Sequence, residues 1–350
     1  MRTAVIGAGA IGGITAAFIA KTGYSVDLVC RHGDYAERIR TEGMRVTGVK
    51  GAFSQKLSAV TDVSELRGSY DIVIIATKAA DLPSAARESL PLLKKDSLVV
   101  SMQNGVVIDT LQDIVGKERA VGCTVGWGAT MHRYGELEMT STGEFVLGTL
   151  APPPEQQWRY LTDLVSTVVP VHTTDNTYGT LYSKLLINSC ITTLGAICGL
   201  PLGEMLARRN VREVFIVILD EGMRVAGAMG IRVEPYAGRL DYYRFLRGTG
   251  PLASLRRHLM IRVIGMKYRR LRSSSLQSIE RGQKTEVDYF NGYIAAEGEK
   301  HGIPTPVNLN LTNMLHQIEE GSRSIGVDNL DELQTLLEEN HPQMRTTGTG

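Results

Sequence analysis

The chain opens on an apolar run and a glycine motif, Thr3-Ala4-Val5-Ile6 and then Gly7-Ala8-Gly9-Ala10-Ile11-Gly12. The run is typical of a buried strand, and the residues from Ala10 to Lys21 are typical of a helix. A G-x-G-x-x-G motif between a strand and a helix is the phosphate-binding turn of a dinucleotide site. Its glycines permit a tight turn, admit a pyrophosphate and let the helix pack on the strand. The alternative is an apolar helix with incidental glycines.

Short apolar runs alternate with helical patterns through the first half of the chain. The predicted strands lie at 3–6, 25–30, 71–76, 98–101 and 168–172, with hairpins at 44–60 and around the turn 133–136. Such alternation predicts a parallel sheet covered by helices, and a helical period then dominates from residue 176. We therefore predict three parts, namely a Rossmann-like α/β domain over 1–175, an all-α domain over 176–338 and a frayed tail over 339–350.

Composition is typical of a globular protein, and we expect it in the cytoplasm. The chain has 350 residues, 43% of them hydrophobic, and a net charge of +1, which favours neither nucleic acid nor membrane as a partner. Its cysteines, Cys30, Cys123, Cys190 and Cys198, form no metal-site spacing, so we expect reduced thiols and no metal. Two uncharged segments, 3–20 and 185–203, imitate a leader and a membrane span. Glycines in the first and polar residues in the second favour a strand-turn-helix unit and a buried helix instead.

The residues at the end of the second predicted strand indicate which form of the cofactor's ribose the site accepts. An enzyme that prefers NAD usually places an acid there, but this strand ends Val29-Cys30-Arg31. Asp27 comes too early and should point elsewhere. A cation at Arg31 would pair with a 2′-phosphate, which favours NADP(H) over NAD. The alternative is that Arg31 is a surface arginine.

Two polar clusters could carry chemistry. Lys184 and Asn188 are four residues apart in an otherwise apolar helical segment, so they share a face. A partly buried lysine needs a carboxylate, and Glu286 is a suitable partner. Spacing alone does not separate a catalytic lysine from a structural ion pair.

A basic segment covers residues 232–272. It holds eleven lysines or arginines against Glu234 and Asp241, a local charge of +9. A solvated helix surface is the plain interpretation. A lid over an anionic ligand and an oligomer contact are the alternatives, and a homodimer is an expectation that no motif fixes.

Separated motifs together resemble the ketopantoate reductase (2-dehydropantoate 2-reductase) family across nearly the whole chain. They are Gly7-x-Gly-x-x-Gly12, Arg31, Thr77-Lys78-Ala79, Gln103-Asn104-Gly105, Lys184-Leu-Leu-Ile-Asn188, Ser274 and Thr285-Glu286-Val-Asp-Tyr-Phe-Asn-Gly292. The resemblance implies a Rossmann-like α/β domain followed by an all-α domain, the 6-phosphogluconate-dehydrogenase-like arrangement. It also implies NADPH-dependent reduction of ketopantoate to pantoate, a step towards pantothenate.

The resemblance assigns roles to individual residues. Lys184 is similar to the family's catalytic lysine, and Glu286 to the glutamate near that lysine and the cofactor. By the same resemblance the remaining contacts to cofactor or substrate come from Arg31, Lys78, Asn104, Gly128, Asn188, Thr192 and Ser274.

Two positions depart from the family pattern. Thr192 and Leu202 stand where the family has asparagines, and leucine cannot donate to a hydroxyl. A reductase of the same architecture that acts on another 2-oxo acid or ketone therefore stays open. Two further alternatives are a non-catalytic NADP-binding protein and a basic binding protein that works through residues 232–272. The presence of Lys184 argues against the first of them.

Overall fold

The glycine stretch forms the strand and the helix that its pattern predicts. The computed structural model describes residues 1–340 of the chain. The first strand, β1 (Thr3–Ile6), is fully buried, and the first helix, α1 (Ala10–Lys21), begins directly after Gly9. Both predicted bounds are confirmed, and the uncharged residues 3–20 form this strand-turn-helix unit.

A large, mostly parallel sheet organises the first part of the chain. The other strands are β2 (Val26–Val29), β3 (Met44–Gly48), β4 (Phe53–Gln55), β5 (Ser58–Val60), β6 (Tyr70–Ile75), β7 (Leu93–Ser101), β8 (Ala120–Val125), β9 (Ala129–Arg133), β10 (Glu136–Met139), β11 (Phe145–Thr149) and β12 (Val171–Thr174). Eight of them form a sheet in the order β12-β11-β8-β7-β6-β1-β2-β5. Its pairs are parallel except β8 with β11, as predicted for βαβ alternation.

Helices cover this sheet and then form most of residues 176–340. They are α2 (Gly33–Thr41), α3 (Leu82–Ser89), α4 (Ile108–Val115), α5 (Glu155–Ser166), α6 (Thr177–Cys198), α7 (Leu202–Ala207), α8 (Arg209–Ala228), α9 (Tyr242–Leu246), α10 (Pro251–Lys267), α11 (Ser274–Glu280), α12 (Asn291–Lys300), α13 (Pro306–Glu319) and α14 (Asp331–Asn340). Residues 1–175 thus carry the α/β pattern and residues 176–340 are mainly helical, which confirms the predicted fold class.

The chain divides between Leu181 and Tyr182 into two compact units, called here unit 1 and unit 2. The predicted domain limits, 1–175 and 176–338, stay a prediction, since the division falls inside the helix α6. Of the tail predicted at 339–350, residues 341–350 lie outside the described part of the chain.

Two strand predictions need correction. The hairpin predicted at 44–60 ends at Gln55, because β5 leaves it and pairs in parallel with β2 in the large sheet. The hairpin strands instead join the small sheet β4-β3-β10-β9, which contains the hairpin predicted around 133–136. The last strand spans Val171–Thr174 and not 168–172. Val168 and Val169 are buried, but they lie before Pro170 and outside the strand.

Helix α6 begins the helical second half of the chain. By length and composition it could cross a membrane, but 83% of its apolar window is buried inside the protein, as in a core helix. Two neighbours fix it in unit 2: the Tyr182 hydroxyl donates to the Gly222 carbonyl at 2.9 Å, and the Tyr242 hydroxyl donates to the Ser183 carbonyl at 2.6 Å. The predicted buried helix is therefore present, and it is anchored through the side chain of Tyr182 and the backbone carbonyl of Ser183, the two residues that precede Lys184.

The basic segment contains α9, α10 and a turn before them. Arg256 and Arg257 donate to the last carbonyls of α9, so part of the positive charge caps a helix. Helix α10 also exposes large apolar side chains, among them Leu252, Leu255, Leu259, Val263 and Met266. Their spacing of three or four residues places them on one face, which a plain solvated basic helix does not have. The lid and the oligomer contact both stay predictions.

All four cysteines are buried, and none of them forms a disulfide within residues 1–340. Burial raises the pKa of the Cys190 and Cys198 thiols, so both stay protonated and unreactive at neutral pH. These cysteines behave as small core residues, as the sequence predicts.

Candidate active site

The turn after β1 is shaped by glycines at two positions. Gly7 has φ +110°, in the left-handed region, and a Cβ there would lie 2.8 Å from the Ala76 carbonyl carbon. A Cβ on Gly12 would lie 2.1 Å from the Gly7 carbonyl oxygen and 2.8 Å from the Ala76 Cβ. Neither position accepts a side chain, so the turn, β6 and α1 pack at backbone distance.

Gly9 differs from its neighbours because space lies in front of it. A Cβ on Gly9 would meet no atom of residues 1–340 within 4 Å beyond its chain neighbours. It is the N-cap of α1, and no side chain among the described residues caps that end. The first amide groups of the helix therefore remain as donors, with the positive end of the helix dipole behind them. This turn fits the pyrophosphate of a dinucleotide, and binding of a cofactor by Gly7 to Gly12 stays a prediction.

The loops after β6 and β7 are tied together beside this turn. The Gln103 side-chain amide donates to Thr77 Oγ1 at 3.3 Å and accepts from the Ser101 hydroxyl. Gln103 is 4% exposed, so this link is buried. It fixes the backbone next to Asn104, which is partly exposed, and next to Lys78, which is exposed. Both predicted residues thus lie at the carboxyl edge of the sheet, where ligands of such folds bind.

Asp27 lies on β2, the strand that leads to the ribose end of the predicted cofactor site. Asp27 accepts hydrogen bonds from Arg2 Nη2 at 2.9 Å and from the Tyr70 hydroxyl at 2.7 Å. Burial would raise the pKa of Asp27, but hydrogen bonds from Ser58, Tyr70 and Arg2 outweigh it and hold the pKa below its usual value. Asp27 therefore points elsewhere, as predicted from the sequence.

Arg31 lies just beyond β2 and is largely solvent-exposed. Its side chain is 75% exposed, and Nη2 lies 3.5 Å from an oxygen of Asp81, an acid that the sequence analysis did not single out. The guanidinium is thus at the surface and already has one anionic neighbour.

Gly128 follows β8 and has its backbone engaged within unit 1. Its amide donates to the Ser141 hydroxyl at 2.8 Å, and its carbonyl accepts from the Thr140 amide at 2.9 Å. A cofactor contact at Gly128 stays a prediction. It would use the second lone pair of the carbonyl, because the amide donor already has an acceptor.

The second cluster begins on α6. From Tyr182 to Cys198 all residues are buried except Lys184, Asn188 and Ile191, which are partly exposed. Their spacing of four and three residues places them on one face of the helix. The structure therefore brings Lys184 and Asn188 together on the one side of this segment that solvent reaches, whereas Thr192 is 6% exposed.

A buried polar chain connects α6 with the segment that carries Glu286. Thr193 of α6 donates to the Asn291 side-chain oxygen at 2.5 Å, and the Asn291 amide donates to the Asn308 side-chain oxygen at 2.9 Å. The Asn308 amide donates in turn to Glu221 at 2.7 Å. Asn291, Asn308 and Glu221 are all 0% exposed, so each polar group needs its partner. This chain of hydrogen bonds holds the segment that carries Glu286 at a fixed position beside α6.

Glu221 is the anionic end of this chain. It also accepts the backbone amides of Val307 and Asn308 at 3.0 and 2.9 Å, at the start of α13. Burial raises the pKa of Glu221, although these hydrogen bonds act in the opposite direction. The sequence signal was an acid inside the apolar pattern of α8, but nothing in the spacing could name its partners.

Glu286 and Ser274 lie on segments next to this network. Glu286 is partly exposed and precedes a short 3-10 helix, while the preceding amide of Thr285 donates to Glu319 at 2.7 Å. Ser274 is the exposed first residue of α11, and the N-cap is Ser273, which accepts from the Leu276 amide. Both predicted residues are held by helix ends in unit 2.

The fold and the glycine turn define a Rossmann-type dinucleotide-binding protein. The family model described as ketopantoate reductase PanE/ApbA matches residues 3–152, and its C-terminal counterpart matches residues 176–319. The chain therefore belongs to the ketopantoate reductase family.

Individual relatives match over nearly their whole length. The 2-dehydropantoate 2-reductase of Archaeoglobus fulgidus is 28% identical over 324 residues, which is 91% of this chain and 98% of that protein. A crystal structure of a PanE/ApbA family ketopantoate reductase from Ralstonia eutropha JMP134 is 29% identical with a TM-score of 0.78, covering 93% of this chain and 100% of that one. A ternary structure of D-mandelate dehydrogenase with NADH and anilino(oxo)acetate is 25% identical with a TM-score of 0.78, covering 92% and 99%.

Proposed function

We propose that this protein reduces ketopantoate to pantoate with NADPH and that Lys184 is the general acid. The observation that carries the proposal is the partly exposed face of residues 182–198 of α6, where Lys184 and Asn188 lie four residues apart on a segment that is mostly buried. Lysine can stabilise and protonate the alkoxide that develops when a ketone is reduced. The full-length relatives that are named 2-dehydropantoate 2-reductases support this substrate.

The cofactor fits the residues of unit 1. The bound nicotinamide would supply the hydride. Gly7 to Gly12 would hold the pyrophosphate through the open N-terminus of α1, and Arg31 would pair with a 2′-phosphate. Lys78, Asn104 and Gly128 would contribute further contacts along the carboxyl edge of the sheet. Arg31 supports NADPH, whereas the mandelate dehydrogenase crystallised with NADH makes NAD the alternative.

The residues of unit 2 would hold the substrate and move the proton. Lys184 Nζ would donate to the substrate oxygen and then regain a proton from solvent. Glu286 would orient that ammonium group and touch the cofactor, a role that the family resemblance assigns. Asn188, Thr192 and Ser274 would bind the hydroxyl and carboxylate groups of the substrate. Of these three, Asn188 and Ser274 are accessible in the structure, while Thr192 is buried.

A second candidate function is the reduction of a different 2-oxo acid. It is favoured by the mandelate dehydrogenase, whose structure contains anilino(oxo)acetate, and by Thr192 and Leu202 at positions where the family has asparagines. Leu202 is 2% exposed, so it offers no polar group to a ligand. These two positions would then select the side chain of the keto acid.

The test is steady-state oxidation of NADPH and of NADH, followed by absorbance, with ketopantoate and a panel of other 2-oxo acids. The proposal expects kcat/KM for ketopantoate to exceed that for each other acid by at least about tenfold, with NADPH preferred. Turnover of another keto acid with little activity on ketopantoate would support the second candidate. Absence of turnover with every acid and both dinucleotides would contradict both.

A further inference from the structure

The ion pair between Arg31 and Asp81 joins two loops on either side of the glycine turn. Arg31 follows β2 and Asp81 follows β6, and both strands pair in parallel with β1. The carboxyl ends of the three strands therefore share one edge of the sheet, with Gly7 to Gly9 in the middle. The Gly7 amide donates to the Val29 carbonyl of β2 at 3.1 Å, and Gly7 packs on Ala76 just beyond β6.

The pair thus spans the edge of β1 at the end where the adenosine ribose of a bound dinucleotide meets β2. The side chains of Arg31 and Asp81 are 75% and 42% exposed, and Nη2 lies 3.5 Å from the carboxylate oxygen. An exposed pair at this distance contributes little stability, so a ligand can open it. The backbone of Asp81 is fixed, since its amide donates to the Lys78 carbonyl at 3.0 Å, and therefore only the side chain needs to move.

Two ligands would meet this pair differently. A 2′-phosphate needs the Arg31 guanidinium and is repelled by a carboxylate near it. A 2′-hydroxyl carries no charge and can donate a hydrogen bond to a carboxylate. Asp81 therefore opposes the phosphorylated dinucleotide and is compatible with the unphosphorylated one.

We propose that Asp81 is a specificity-determining residue that competes with the 2′-phosphate for Arg31 and so lowers the preference for NADPH over NADH. This proposal rests on the proposed use of Arg31 as the 2′-phosphate ligand. Asp81 and Arg31 together, and not Arg31 alone, set the ratio of the two affinities.

The test is isothermal titration of NADPH, NADH and 2′-AMP into the wild-type chain, Asp81→Asn and the matched control Asp163→Asn, an exposed acid on α5. Asparagine keeps the size of the side chain and removes its charge. We expect Asp81→Asn to bind NADPH and 2′-AMP about three- to tenfold more tightly, while NADH binds no better than in the wild type. Asp163→Asn should match the wild type for all three ligands.

A double-mutant cycle with Arg31→Ala tests the route of the effect. If Asp81 acts through Arg31, the gain from Asp81→Asn shrinks to less than about twofold in the Arg31→Ala background. An equal gain in both backgrounds, or an unchanged ratio of NADH to NADPH affinity in Asp81→Asn, overturns the proposal. A chain that binds neither dinucleotide overturns the proposed function as well, whereas a chain that reduces ketopantoate with both and shows an unchanged ratio overturns this inference alone.

Discussion

The carboxyl edge of the sheet in unit 1 and the open face of α6 in unit 2 depend on opposite features of their residues. At the sheet edge the important features are missing side chains, because Gly12 leaves room for packing and Gly9 leaves room for a ligand. On α6 they are polar side chains, Lys184 and Asn188, on the partly exposed face of a segment, residues 182–198, that is mostly buried. Binding of the cofactor should therefore fail when an atom is added at the first region, and chemistry should fail when a group is removed at the second.

The largest expected effect tests the second region. Lys184→Ala should lower kcat by about 100-fold or more, because a positioned general acid contributes on that order, while the Kd of NADPH changes less than about twofold. Lys184→Arg should restore little activity, since a guanidinium keeps the charge but does not release its proton. Rapid mixing of enzyme, NADPH and ketopantoate measures the chemical step directly.

The control for Lys184 is Lys300→Ala. Lys300 is an exposed lysine of α12 in unit 2 that pairs with Glu297 at 2.6 Å, so its loss tests removal of a positive charge from another helix of the same unit. Wild-type turnover in Lys184→Ala would remove that lysine from the mechanism. Equal losses of turnover in the two variants would mean that the effect of Lys184→Ala comes from the loss of a positive charge in general.

The next effect tests the first region by adding one methyl group at two glycines. Gly9→Ala should fold normally, since a Cβ meets no atom within 4 Å, yet bind NADPH at least about tenfold more weakly because the methyl occupies the approach of the pyrophosphate. Gly12→Ala should instead lower the melting temperature, since its Cβ would overlap the Gly7 carbonyl oxygen. Gly227→Ala, a helical position with open space, is the matched control. A Gly9→Ala variant with wild-type affinity for NADPH would contradict the role given to the space in front of Gly9.

The same contrast explains what could be predicted. The turn from Gly7 to Gly12, the strands at 3–6, 26–29 and 70–75 and the helix α1 follow from local patterns, so the sequence predicts them within a residue or two. The position of β5 is a matter of long-range pairing. Residues 58–60 are compatible with either sheet, and only the choice of β2 as neighbour decides between them.

Side chains that meet across the fold were harder to predict. The shared face of Lys184 and Asn188 is a property of one helix, and spacing predicts it. By contrast, Thr193, Asn291, Asn308 and Glu221 come from four separate helices, and Arg31 and Asp81 are fifty residues apart. Sequence periodicity does not reveal such contacts. The residues that support the Glu286 segment and the partner of Arg31 could therefore be identified only from the structure.

The smallest effect concerns Asp27, an acid on the ribose strand that has a structural role. Asp27→Asn should lower the free energy of unfolding by about 1–2 kcal/mol at pH 7, because a carboxylate that accepts from Arg2 and Tyr70 is replaced by a neutral amide. The affinity for either dinucleotide should not change. A coupled loss of cofactor selectivity would instead give Asp27 the role that the comparison assigns to Arg31 and Asp81.

The pH dependence of Asp27→Asn has a definite sign. The pKa of Asp27 is lower in the folded chain than its ordinary value of 3.8, so its contribution is complete above that value and is lost as pH falls through it towards the folded pKa. The difference in urea midpoint between wild type and Asp27→Asn should thus stay constant from pH 8 to about pH 5 and shrink below about pH 4. Asp163→Asn is the control for removal of a carboxylate at an exposed position. A gap that widens in acid would mean that the folded chain favours protonated Asp27, against the hydrogen bonds that Arg2, Tyr70 and Ser58 make to its charged form.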